Sequence, residues 1–164
     1  MRDIPEPGAA EFVEKLAAAV EGTWDVEVNK DGVAMPRGVV LRMCDVDCGS
    51  QTVGMVKNVL KWRSANPEKS TALWDELQGY NTQLAQNLKE HDTAAIPETI
   101  QKIRKMIREM SALSEVPIEP ASQTALLDGV TSVEGVFGGV VPGAGGFDAA
   151  ALLMMDDGET EKRV

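Results

Sequence analysis

A chain of 164 residues with 43% hydrophobic content can close one core and is short for two ordinary domains. Its formal net charge of −10 excludes nucleic acid as a partner, because binding to a phosphate backbone is carried by clustered positive charge. No apolar run approaches a membrane span and Met1-Arg-Asp-Ile-Pro-Glu-Pro lacks a signal-peptide core, so residues 1–164 read as one cytosolic domain with no membrane contact. In chain order, a helix is predicted over about Ala9 to Glu21 with Phe12, Val13, Leu16 and Val20 inward. A strand follows at Trp24 to Val28, then a turn at Asp31-Gly32. Val39 to Asp47 reads as a buried strand, and Cys48-Gly-Ser opens a helix that runs to about Arg63. Leu73, Leu77, Tyr80, Leu84 and Leu88 recur at helical spacing, as do Ile100, Ile103, Ile107 and Met110. These stripes predict an antiparallel pair of core helices over 71–90 and 98–113. A further helix starts near Pro120 and buries Leu126, Leu127, Val130 and Val133; strands follow at 136–141 and 149–155. Met1 to Gly8 and Asp156 to Val164 read as fraying ends. Strands and helices do not alternate as regular βαβ units, so the fold class is α+β, a small, mainly antiparallel sheet covered by helices.

Two segments carry chemistry. Val140-Val-Pro-Gly-Ala-Gly-Gly-Phe-Asp148 places glycines at 143, 145 and 146, where the main chain adopts conformations closed to other residues and leaves its amides open to an anion. The competing reading is a long hairpin loop. Ser50 and Thr52 stand beside the free amides of a predicted helix N-terminus, a ready place for phosphate or carboxylate, with a plain helix cap as the alternative for Ser50. Cys44, Cys48 and His91 fall short of the four ligands of a structural zinc, and a disulfide does not suit a reducing compartment, so both cysteines read as plain thiols and no metal is expected. Asp45 and Asp47 read as polar strand-end residues, with a paired-carboxylate site as the alternative, for which a metal would need more oxygen ligands than this spacing guarantees. Lys102, Arg104, Lys105 and Arg108 form the richest local group of positive charge, either a steering patch for an anionic substrate or a solvated helix face.

Three segments together carry a resemblance: Met43-Cys-Asp-Val-Asp-Cys-Gly-Ser-Gln-Thr-Val-Gly-Met-Val56, Val116-Pro-Ile-Glu-Pro-Ala-Ser-Gln-Thr-Ala-Leu-Leu127 and Val141-Pro-Gly-Ala-Gly-Gly-Phe-Asp148. In the same order, over roughly residues 24 to 155, they resemble the C-terminal half of fungal-type phosphomevalonate kinases, relatives of galactokinase, homoserine kinase and mevalonate kinase. The loop at 143–146 resembles that superfamily's third motif. The superfamily's nucleotide signature, Pro-x-x-x-Gly-Leu-x-Ser-Ser-Ala, occurs nowhere between Met1 and Val164. The resemblance therefore implies a C-terminal domain whose N-terminal ATP-binding domain is missing, and which is inactive alone. ATP and Mg2+ would serve the full enzyme, with none bound by this chain by itself.

The implied reaction moves the γ-phosphoryl group of ATP onto 5-phosphomevalonate, giving 5-diphosphomevalonate for isoprenoid and sterol synthesis. This half would supply part of the acceptor pocket: Ser50, Gln51 and Thr52 at a helix N-terminus, and the amides of Gly143, Ala144, Gly145 and Gly146. Glu119, Ser122 and Gln123 would hydrogen-bond the substrate's hydroxyl or carboxylate, with capping of the following helix as the alternative for Glu119 and Ser122. Asp148 stands beside the same loop, where a carboxylate repels phosphate unless a cation intervenes, so it either faces the ligand across one or braces the loop by accepting its amides. No catalytic residue is assigned in this half. Two other classes compete with this function: a non-catalytic small-molecule or protein-binding domain, and a related kinase acting on another acceptor.

Overall fold

The computed structural model describes residues 5–22, 33–46 and 52–164, and the chain divides into two compact units, Met1–Lys30 and Asp31–Val164. The first unit holds α1 (Phe12–Glu21). Its apolar stripe exists as expected, but no residue of the helix is buried and Val13 is 74% exposed. The expected strand at Trp24 to Val28 and the turn at Asp31-Gly32 lie outside the described residues.

In the second unit, β1 (Val39–Asp45), β2 (Val136–Val140) and β3 (Ala149–Met155) form an antiparallel sheet in the order β1-β3-β2. The central strand, Ala-Ala-Ala-Leu-Leu-Met-Met, is apolar throughout because helices cover both of its faces. Leu153 packs with Ile96 and Ile100 on one side, Leu152 with Leu127 on the other. Burying both faces replaces the usual in-out alternation by a continuous apolar run. Two glycines in β2 make this closeness possible. A Cβ on Gly138 would lie 3.0 Å from Ile100 Cγ2, and one on Gly139 would lie 2.8 Å from the Ala151 carbonyl and 3.0 Å from Leu127 Cδ2. The strand also bulges between Val136 and Gly138.

The helices are α2 (Thr52–Ala65), α3 (Pro67–Lys89), α4 (Ile96–Ser114), α5 (Ala121–Thr131) and α6 (Gly158–Arg163). Proline opens α3, where a missing N–H costs nothing. Helices α3 and α4 pack as the expected antiparallel pair: the Asn87 amide donates to Thr99 Oγ1 at 3.0 Å, while further from the turn the Lys102 ammonium lies 5.9 Å from the Tyr80 ring. Their stripes meet in a core of Leu73, Leu77, Ile103, Met106 and Met110, joined by Val116 and Ile118. In α5, Leu127 is fully buried whereas Leu126 is 40% exposed, a correction to its expected place in the core. One helical step turns a side chain by about 100°, so neighbours cannot both face the sheet.

The C-terminal segment does not fray. Asp157 caps α6, accepting from the Glu159 and Thr160 amides at 3.0 and 2.8 Å, and Thr160 is buried against the turn at Gly135. These amide bonds hold the Asp157 carboxyl below the usual carboxylate range.

Candidate functional site

The loop 141–148 joins β2 to β3, so the hairpin reading is correct as connectivity. Its interior is more specific than a hairpin requires. The Gly145 amide donates to the Pro142 carbonyl at 3.2 Å and the Gly146 amide to the Ile118 carbonyl at 2.9 Å. Gly145 has φ +83, and a Cβ there would collide with the Ile118 carbonyl and come within 2.7 Å of Ile118 Cα. Glycine at 145 thus answers to both a positive φ and a close approach of main chain to main chain. Gly143 also has positive φ, +65, but nothing lies within 4 Å of where its Cβ would be. Among the described residues, the amides of Gly143 and Ala144 donate no hydrogen bond. The loop therefore divides into an inner half held against Ile118 and an outer half whose amides have no hydrogen-bond acceptor among the described residues.

Beneath the loop, the Gln123 amide nitrogen donates to the Phe147 carbonyl at 2.9 Å, and its buried oxygen has no hydrogen-bond partner among the described residues. The Val46 amide donates to the Asp148 carbonyl at 2.7 Å, so the end of β1 lies beside the end of the loop. The Asp148 side chain is half-buried. Of the other expected site residues, Thr52 opens α2 and is exposed, Ser122 is exposed on the first turn of α5, and Ser50 and Gln51 lie outside the described residues. Pro120 stands at the N-cap of α5 with no side-chain cap bond, so neither Glu119 nor Ser122 caps it.

Glu119 is buried, and its carboxylate is occupied by protein groups. Arg104 Nε donates to both oxygens at 3.2 and 3.3 Å, Arg104 Nη2 to Oε1 at 2.7 Å, and Arg108 Nη1 and Thr124 Oγ1 to Oε1 at 3.0 Å each. Arg104, with no exposed side-chain surface, also reaches Asp128 Oδ1 through Nη1 at 2.7 Å. Burial alone would lower the Arg104 pKa, but bonding to Glu119 and Asp128 outweighs it and the net shift is upward. This corrects the reading of 102–108 as one positive surface. Lys102 pairs with Glu98 at 2.7 Å, Arg104 is interior, and Arg108 is turned onto Glu119. The sequence did carry a signal for it: Arg104 is four residues after Ile100 and three before Ile107, on the flank of the core stripe, and Glu119 is the one charge in Val116-Pro-Ile-Glu-Pro. An open groove of about 740 Å³ between α4 and α5 touches Arg108, Glu119 and Asp128 but none of the loop residues.

No family model matches the chain. It is 63% identical over 166 residues to a phosphomevalonate kinase of Gibberella zeae, the match covering 100% of this chain and 38% of the relative. It is 41% identical over 179 residues to a phosphomevalonate kinase of Aspergillus fumigatus, covering 100% of this chain and 37% of that protein. The chain thus spans little more than a third of the curated relatives it matches. Among solved structures, the Lin0012 protein of Listeria innocua superposes with a TM-score of 0.70 at 16% identity, over 80% of this chain and 36% of that one. The mevalonate kinase of L. major, in complex with R-mevalonate, superposes at 0.58 and 14%, over 79% and 37%. At such identities these two share the fold with this chain.

Proposed function

We propose that this chain, homologous over its whole length to a stretch of the fungal phosphomevalonate kinases, is the C-terminal, acceptor-binding domain of such an enzyme, with residues 1–164 working as one domain. The observation that carries this reading is the match at 63% identity over 100% of this chain. The open amides of Gly143 and Ala144 support it chemically. The reaction joins an oxygen of the 5-phosphomevalonate phosphate to the γ-phosphorus of ATP, breaks the bond from that phosphorus to the bridging β,γ-oxygen, and releases ADP. A phosphate monoester has its second pKa near ~6, so the attacking oxygen is already ionised at neutral pH and needs no strong base. What remains is positioning and charge neutralisation. Here the outer amides of the glycine loop, with Ser50, Gln51 and Thr52 as further donors, hold the acceptor. Ser122, Gln123 and Asp148 are further acceptor-binding residues in this reading, and Glu119, whose carboxylate is taken up by Arg104, Arg108 and Thr124, supports them without touching the acceptor.

The described residues include no group of three or more acidic, cysteine or histidine side chains able to hold a metal ion. ATP and Mg2+ belong, in this proposal, to the remainder of the enzyme. A cytosolic address and the absence of nucleic-acid partners complete it, in keeping with the charge of −10. No described helix is long and apolar enough to cross a membrane.

The test is a chimera in which this chain replaces the matching stretch of the Gibberella zeae relative. ATP-dependent formation of 5-diphosphomevalonate is expected from the chimera, and none from the 164-residue chain alone. A folded chimera that phosphorylates mevalonate or homoserine instead would reassign the acceptor. Turnover by the isolated chain would overturn the division of labour.

A further inference from the structure

The Arg104 cluster ends on main chain that supports the glycine loop. Glu119 directly follows Ile118, whose carbonyl receives the Gly146 amide at 2.9 Å and whose backbone fills the space beside Gly145. Four residues later, Gln123 holds the Phe147 carbonyl at 2.9 Å. Several α4 side chains tie this segment down: Ser111 Oγ accepts from the Ile118 and Glu119 amides at 3.2 and 3.3 Å and Arg108 donates to Glu119 at 3.0 Å, but Arg104 alone spans Glu119 and Asp128, both at 2.7 Å, and touches the Thr124 carbonyl at 3.4 Å. A buried ion pair adds little net stability relative to apolar packing, because desolvation offsets its attraction. What this one offers is geometry. A guanidinium holds several acceptors at fixed angles, which a lysine ammonium does not.

We infer that Arg104 is a positioning residue: by clamping Glu119 and Asp128 it fixes residues 118–124, and through the Ile118 carbonyl and Gln123 it fixes the inner half of the loop, so that the Gly143 and Ala144 amides face one direction. This rests on reading the loop as the acceptor-binding element. Arg104 itself touches neither substrate nor reacting atoms.

The experiment compares Arg104→Lys and the milder Asp128→Ala, at a carboxylate 58% exposed, with Leu73→Ala, a core truncation in the α3–α4 interface. Hydrogen exchange of the 164-residue chain is read at the Gly146 amide and over 143–147, and the KM values for 5-phosphomevalonate and ATP are read in the chimera. Arg104→Lys is expected to speed exchange at Gly146 at least tenfold relative to β3, and to raise the acceptor KM several-fold with the ATP KM unchanged. Asp128→Ala should move both in the same direction by less. Leu73→Ala should move neither, although it lowers the unfolding midpoint. Wild-type exchange in both charge variants, or the same loop changes in Leu73→Ala, would overturn the inference. Faster exchange with an unchanged acceptor KM would keep the clamp and sink the acceptor reading.

Discussion

Two glycines separated by one residue should respond to alanine in different ways. At Gly145 a methyl group meets two penalties. An L-residue at φ +83 carries roughly 1–2 kcal/mol of left-handed strain. The new Cβ also overlaps the carbonyl and Cα of Ile118, a crowding of main chain that costs about 1–3 kcal/mol. Moving Ile118 away would in turn break the Gly146 bond to its carbonyl, worth about 1 kcal/mol. Gly145→Ala is therefore expected to destabilise by about 3–6 kcal/mol, the sum of those terms. At Gly143, where nothing lies within 4 Å of the added Cβ, only the conformational cost of roughly 1–2 kcal/mol remains. Urea unfolding of the 164-residue variants would measure both. In the chimera, Gly143→Ala should raise the acceptor KM despite its small effect on stability, because its methyl occupies the space through which a phosphate approaches the open amides. Equal stability losses for the two variants would refute the division of the loop into a bound inner half and an open outer half. An unchanged acceptor KM for Gly143→Ala would remove the outer amides from the site.

Replacing Ser50 and Thr52 together by alanine in the chimera should weaken use of 5-phosphomevalonate by a few kcal/mol, since a charge-assisted bond is worth about 1.5–3 kcal/mol; unchanged acceptor kinetics with lowered stability would leave Ser50 a cap. Asp157 carries a pH signature: its folded pKa is lowered by the α6 amides, so its contribution is full above the unfolded carboxylate value and is lost as pH falls through the lowered folded one. Unfolding midpoints of Asp157→Asn and the parent should accordingly converge on acidification, and a constant gap would contradict the capping account. Leu41 and Met43 on the edge strand β1, with Val53, Val56 and Leu60 on α2, are exposed, so the 164-residue chain should self-associate. A strictly monomeric profile in sedimentation at high concentration would count against that.

Periodicity alone located α3 and α4, because both bury a continuous stripe and period 3.6 is what such a stripe looks like in sequence. It located β3 for a related reason, since a strand covered on both faces is apolar at every position. The glycine loop was legible as a loop with special backbone. Its division was not, because the partner of Gly145 and Gly146 is the main chain of Ile118, 27 and 28 residues earlier, and a carbonyl leaves no mark on the residue type. The same limit governed Arg104. A charge beside a helical stripe looks solvated until the fold brings Glu119 and Asp128 to it from α5 and the turn before it, and only that pairing makes burial tolerable. The opposite error occurred in α1, whose stripe announced a core face that the described structure leaves exposed. Local sequence determined which faces seek burial and which backbone can bend; tertiary contacts between distant segments decided which of them found a partner.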